Sequence, residues 1–124
     1  MKICIDAGHN HSGWDTGAVA NGLKEQDITY DIALSLNKLL SQHGIKTVLT
    51  RESATQNLGT AVNSSLKKRA ELSNREQCDY FISIHCNKWT DPNANGTEVL
   101  IYARGGEAEK LASAIQTEIL GALS

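Results

Sequence analysis

The chain has 124 residues, 40% hydrophobic and 21% charged, with a formal net charge of -2. That length supports one domain with its own core, and the mixed, slightly acidic charge leaves no footprint for nucleic acid or an acidic polymer. Cys4, Cys78 and Cys86 are odd in number and lack C-x-x-C spacing, which argues against a disulfide framework or a structural zinc finger, so they read as reduced thiols.

Lys2 to Asn10 opens the fold. Ile3 and Ile5 alternate with Cys4 and Asp6 at the period of a strand, and Gly8 lets the backbone turn so that His9 projects from the strand's carboxyl end. The polar stretch Asn10 to Lys24, with His11, Trp14 and Asp15, reads as a surface loop beside a site. Glu25 closes it and begins a helix in which Ile28, Ile32, Leu36, Leu39 and Leu40 form one face; Asp27 is a first-turn acid, and His43 and Gly44 mark the end. His43 is therefore read as a terminus residue.

Ile45 to Thr50 is β-branched and reads as a second strand, ended by Arg51. Glu52 to Ser65 lacks periodicity and reads as a loop, followed by a helix over about Leu66 to Glu76. Tyr80 to Ile84 is an apolar strand ending at His85, repeating the arrangement at His9. Asp91 to Gly96 is a turn-rich loop, Thr97 to Tyr102 reads as a fourth strand, and Leu111, Ile115, Ile119 and Leu123 line a last helix. This alternation predicts an α/β fold, a mostly parallel open sheet with helices on both faces, as a single domain over residues 1–124. No apolar run approaches membrane-spanning length, and Met1 leads directly into the first strand. The expectation is a soluble chain made in the cytoplasm without a signal peptide, with no membrane partner.

In parallel strands the two histidines emerge at the same sheet edge, where Glu25 can join them. Two imidazoles and a carboxylate form a three-ligand set for catalytic zinc that leaves a position for water, and the matching reaction class is amide hydrolysis. By spacing alone the three residues read more readily as incidental, satisfied or surface groups, as in an unrelated small-molecule-binding domain. Cys86, beside His85, is a weaker candidate for nucleophile or ligand than for packing. His11 reads as a solvated loop residue.

Four segments in order, Ile5-Asp6-Ala7-Gly8-His9, Leu23-Lys24-Glu25-Gln26-Asp27, Gly44 to Arg51 and Phe81 to Asn87, together with Gly96-Thr97-Glu98-Val99, resemble the zinc-dependent N-acetylmuramoyl-L-alanine amidases of the type-3 family. The resemblance covers essentially the whole chain. It implies that His9, Glu25 and His85 are zinc ligands and that the substrate is peptidoglycan, cut between the lactyl group of muramic acid and L-alanine. Cell-wall degradation, in an endolysin or autolysin, is the implied setting. Asn10 stands where glycine is common in the family, and Cys86 where a small residue is usual.

The family continues into further C-terminal strands, one bearing a glutamate that acts as general acid/base. These 124 residues contain no matching segment, so the catalytic residue is unknown and Glu98 is a weak stand-in. The expectation is a truncated catalytic domain whose unpaired sheet edge supports a homodimer. The alternative is a non-catalytic zinc- or peptidoglycan-binding module. Asp6 is expected to orient His9 by a hydrogen bond, Trp14 and Trp89 to bind substrate, and Arg51 and Arg69 to serve as packing or ion-pair residues.

Overall fold

A computed structural model describes residues 1–124 in full. The chain divides into two compact units, Met1–Lys88 and Trp89–Ser124.

The first unit is built on β1 (Lys2–Ala7), flanked by β4 (Lys46–Leu49) on one side and β5 (Tyr80–Ile84) on the other, with both pairings parallel. Every residue of β1 except Lys2 is buried, as expected of a parallel strand covered on both faces. Ile3, Ile5 and Ala7 face α1 (Glu25–Gln42) and form the core with its Tyr30 and Ala33; Leu36, Leu40, Leu49, Ile82 and Ile84 pack around them. Burying each isoleucine contributes about 1.5–3 kcal/mol. Cys4 and Asp6 alternate to the other face, where α2 (Val62–Arg75) sends Arg69 to Asp6 at 2.7 Å and places Ser73 against Cys4. The expected parallel sheet with helices on both faces is therefore present.

The packed stripe of α1 is narrower than its apolar pattern. Ile32 and Leu39 are exposed, while Gln26, Thr29, Tyr30 and Ala33 are buried. Burial follows the side of the helix over the sheet, not hydrophobicity alone. His43 is the C-cap, as expected, with Nδ1 2.8 Å from the Leu39 carbonyl, and Gly44 follows at φ 72°. α2 begins at Val62, four positions before the expected start, because the Ser64 hydroxyl accepts hydrogen bonds from the backbone N–H groups of Thr60 and Ala61 and so closes the helix's first turn.

The loop before α1 contains an unexpected hairpin, β2 (Val19–Ala20) with β3 (Leu23–Lys24). Asn21 and Gly22 turn it at φ 52° and 76°, the positive values that a two-residue hairpin of this hand requires.

In the second unit the expected strand over Thr97 to Tyr102 is absent. These residues have no regular structure, and Leu100 and Tyr102 are exposed. A strand exists only as part of a ladder, and this unit contains no other strand to pair with. Its regular element is α3 (Glu107–Leu123), with Glu107 and Glu109 in the first turn and Gln116 Nε2 donating to the Thr97 carbonyl at 2.9 Å. Leu111, Ile115 and Ile119 are half-buried on one face, whereas Leu123 is exposed. No helix of the protein is long and apolar enough to cross a membrane.

Candidate metal centre

The register of the central sheet brings the two histidines together. Ala7, the last residue of β1, lies opposite Ile84, the last of β5, and the Gly8 N–H continues the ladder to the Ile84 carbonyl at 3.0 Å. His9 and His85 thus leave neighbouring strands at the same end of the sheet. A Cβ at Gly8 would sit 2.5 Å from the Ile84 oxygen and 2.6 Å from the His85 ring, so only glycine allows the close approach. Gly17 does the same from the other side, where a Cβ would lie 2.6 Å from Glu25 Cβ and 2.9 Å from His9 Cδ2.

Glu25, first residue of α1, completes the group. His9 Nε2 is 3.2 Å from Glu25 Oε1 and 3.1 Å from His85 Nδ1, and His85 Nδ1 is 3.4 Å from the same carboxylate oxygen. A tetrahedral zinc with ligand bonds of about 2.0–2.1 Å separates its ligand atoms by about 3.3–3.4 Å. Two imidazole nitrogens and a carboxylate oxygen at these spacings can hold a metal ion. The two rings stand edge to face, 4.7 Å between centroids at 84°.

Glu25 is buried, and its oxygens are held by main chain: Ala18 N–H donates to Oε2 at 2.9 Å and Cys86 N–H to Oε1 at 2.8 Å. Burial pushes the carboxyl up, but these two amides and the neighbouring imidazoles outweigh it and hold Glu25 below its ordinary range. It is therefore presented as a carboxylate.

His9 is held in a left-handed backbone conformation, φ 68°. Such a conformation costs a non-glycine residue about 1–3 kcal/mol and persists only where the surroundings enforce it. Here two buried guanidinium groups do so. Arg69 Nη2 donates to the His9 carbonyl at 2.8 Å and Arg51 Nη1 at 3.2 Å. Arg69 also reaches the Ala7 carbonyl and the Asn10 side chain, and Arg51 the carbonyls of Gln26 and Ala54. Burial, then the charge of Arg69, lowers the Arg51 pKa, and the Tyr30 ring 5.0 Å away offers partial compensation. Expected as packing or ion-pair residues, these arginines also hold the backbone of a candidate ligand, and Arg69 pairs with Asp6 at 2.7 Å.

Asp6 does not meet the His9 ring as expected. It accepts from Thr50, from Arg69 at 2.7 Å and from Ser83 at 2.6 Å, and so reaches His9 only through Arg69 and the main chain. Asp6, the fifth residue of β1, alternates toward α2, whereas His9 has already turned off the strand. The ring partner is Asp15, with Oδ1 3.3 Å from His9 Nδ1. Its presence in the loop was visible in the sequence, but nothing local signalled the contact. A cavity of about 150 Å³ lies alongside, lined by His9, His85, Asp15, Arg69, Leu66 and Phe81 among others.

The remaining candidates stay outside this group. His11 is exposed. Trp14 is 67% exposed on the loop next to Asp15, while Trp89, 76% exposed, and Glu98, also exposed, belong to the second unit. The Cys86 thiol is pushed up by burial and then by Glu25, which does not suit a nucleophile, and all three cysteines are free.

Comparison with known proteins identifies the family. The family model described as N-acetylmuramoyl-L-alanine amidase matches residues 3–124. The germination-specific N-acetylmuramoyl-L-alanine amidase of Bacillus subtilis is 32% identical over 124 residues, covering 94% of this chain and 52% of the relative. The amidase AmiA of Escherichia coli is 33% identical, covering 89% of this chain and 35% of AmiA. Among solved structures, the CwlD amidase of Clostridioides difficile, determined in complex with the GerS lipoprotein, superposes with a TM-score of 0.84 at 29% identity, covering 94% of this chain and 64% of that one. The catalytic domain of the amidase CwlV from Paenibacillus polymyxa gives 0.65 at 31% identity, covering 78% and 51%. The chain thus spans about a third to a half of the length of these curated relatives. With its histidines and glutamate gathered at the end of the parallel sheet, it belongs to the N-acetylmuramoyl-L-alanine amidase family.

Proposed function

We propose that the protein is a zinc-dependent peptidoglycan amidase acting on the bacterial cell wall, hydrolysing the amide between N-acetylmuramic acid and the L-alanine of the stem peptide. The observation that carries the reading is the triangle of His9 Nε2, Glu25 Oε1 and His85 Nδ1, with sides of 3.1–3.4 Å. When bound there, zinc would activate a water and polarise the scissile carbonyl. The chain's own residues supply the rest. Ala18 and Cys86 hold Glu25 as an anion, Arg51 and Arg69 hold the His9 main chain, and Gly8 and Gly17 admit the rings and the carboxylate to close range. The exposed indoles of Trp14 and Trp89, each on its own unit, are proposed as glycan or peptide contacts. Peptidoglycan is the partner proposed; no observation supports the homodimer.

A second reading, zinc or peptidoglycan binding without turnover, draws on one feature. Glu25 is the one carboxylate of the ligand set and is itself a proposed ligand, held as an anion by two amides, so the set has no second carboxyl to pass a proton to the leaving amine. Such a group contributes typically ~10²–10⁴-fold. The test is elemental analysis together with release of new N-terminal alanine from purified peptidoglycan, with His85→Ala as control. Zinc near one per chain, lost in the variant, with alanine release, is expected. Zinc without release would select the binding reading, and no zinc would overturn the assignment of His9, Glu25 and His85 as ligands.

A further inference from the structure

We propose that Ser65, on α2, acts with Asp15 to position His9 for metal binding by fixing its ring in the Nδ1–H form. This rests on the metal-centre reading above, and neither residue is part of the ligand group itself.

The direction of the hydrogen bonds carries the argument. Arg69 Nε–H can only donate, and it points to the Ser65 hydroxyl oxygen at 3.2 Å. Ser65 is then left to give its own proton to Asp15 Oδ2, 2.7 Å away. A carboxylate has no proton to give, so across the 3.3 Å between Asp15 Oδ1 and His9 Nδ1 the ring nitrogen is the donor. A neutral imidazole protonated at Nδ1 carries its lone pair at Nε2. Nε2 is the atom that faces Glu25 Oε1 and His85 Nδ1; its hydrogen bond is with His85 Nδ1, from which it accepts, while Glu25 lies at 3.2 Å without hydrogen-bond geometry. Without this polarity the ring could place its proton toward the ligand cluster and lose the pair needed for coordination.

The relay is built to keep its polarity. Ser65 is fully buried and Arg69 nearly so, so water does not compete for their groups. Asp15 is held at φ 64°, a left-handed conformation that aspartate tolerates better than most residues. Its carbonyl accepts from the Asn10 N–H at 2.8 Å, and the buried Asn10 side chain is tied to Leu58 at both ends, donating to its carbonyl and accepting from its N–H at 2.9 Å each. The asparagine that stands in place of the more common glycine therefore anchors the loop that delivers Asp15.

The test is zinc affinity by chelator competition, paired with nitrogen NMR of ¹⁵N-histidine-labelled, zinc-free protein. The parent should show His9 with its proton on Nδ1. Asp15→Asn should lower zinc affinity by about 10–100-fold and mix the tautomer signals, with Ser65→Ala acting in the same direction. Variants with the parent's circular dichroism that keep the Nδ1–H signature and bind zinc as tightly as the parent would overturn the proposal. Should Asp15→Asn fail to fold, Ser65→Ala decides it. A parent that binds no zinc would overturn the metal centre, while the tautomer signals would still decide the relay.

Discussion

The two faces of β1 do different work. Toward α1 the strand presents Ile3, Ile5 and Ala7 to an apolar core, and toward α2 it presents Cys4 and Asp6 to a polar network of the buried Thr50, Ser65 and Arg69, with the exposed Ser83 at its edge. The apolar face stabilises through area removed from water, which tolerates small changes of shape. The polar face is directional: removing one partner leaves another buried and unpaired. The same network reaches the His9 main chain through Arg69 and the His9 ring through Ser65 and Asp15. One face supplies most of the burial, and the other sets geometry at the site.

The largest effect that would sharpen this contrast comes from Arg69→Ala. It strands Asp6 in an ion pair whose side chains are only 3% and 4% exposed, and urea unfolding should show a loss of about 3–5 kcal/mol. On the other face, Ile5→Val trims the core and should cost about 0.5–1.5 kcal/mol, with zinc affinity unchanged by equilibrium competition. If Ile5→Val weakened zinc binding while the protein stayed folded, the division between the faces would fail.

Cys4 gives a reactivity test of the polar face. Burial, followed by the neighbouring Cys78, pushes its thiol from 9.0 to about 12. A raised thiol pKa contributes stability that is present below the ordinary value and lost as pH rises through about 12. In native protein at pH 8, mass spectrometry after iodoacetamide treatment should find the half-exposed Cys86 modified and Cys4 untouched; early labelling of Cys4 would mean that this face opens.

The smallest effect belongs to the half-buried pair at the strand's start, Lys2 and Glu76, 2.8 Å apart. The Lys2 hydrogen bond lowers Glu76 and the Glu76 hydrogen bond raises Lys2. The pair's contribution is present above the ordinary carboxylate range and fades as pH falls through the lowered Glu76 value; it also fades as pH rises through the raised Lys2 value. Lys2→Met should lower stability slightly at neutral pH and flatten the acid arm of a stability-against-pH curve by the same small amount, the two curves meeting at low pH. A large shift at neutral pH would place this pair in the same class as the buried one.

Much of the site was legible because local patterns encode it. The strand-glycine-histidine run at His9, the strand ending at His85 and the helix opened by Glu25 each depend on neighbours within a few residues. The hairpin has a local signal too, since Asn21-Gly22 is a strong two-residue turn, but the polar residues around it mask the two short strands. The absent strand over Thr97 to Tyr102 shows the opposite limit: β-branched and aromatic residues suit a strand, yet pairing is a long-range event that local propensity cannot supply.

The contacts that Asp15, Ser65 and Arg69 make were hidden for the same physical reason. Their partners lie 6, 50 and 63 positions away, and a hydrogen bond of that kind leaves no periodic trace in the chain. By itself, then, the sequence determined the strand-helix alternation, the family and the three ligand candidates, because these rest on residue type and nearest neighbours. Only the tertiary structure decided which carboxylate meets the His9 ring, which arginines hold its backbone and which apolar helix residues are buried. Those outcomes depend on the register of β1 against β5 and on which helix covers each face, and both are set by packing across the whole unit.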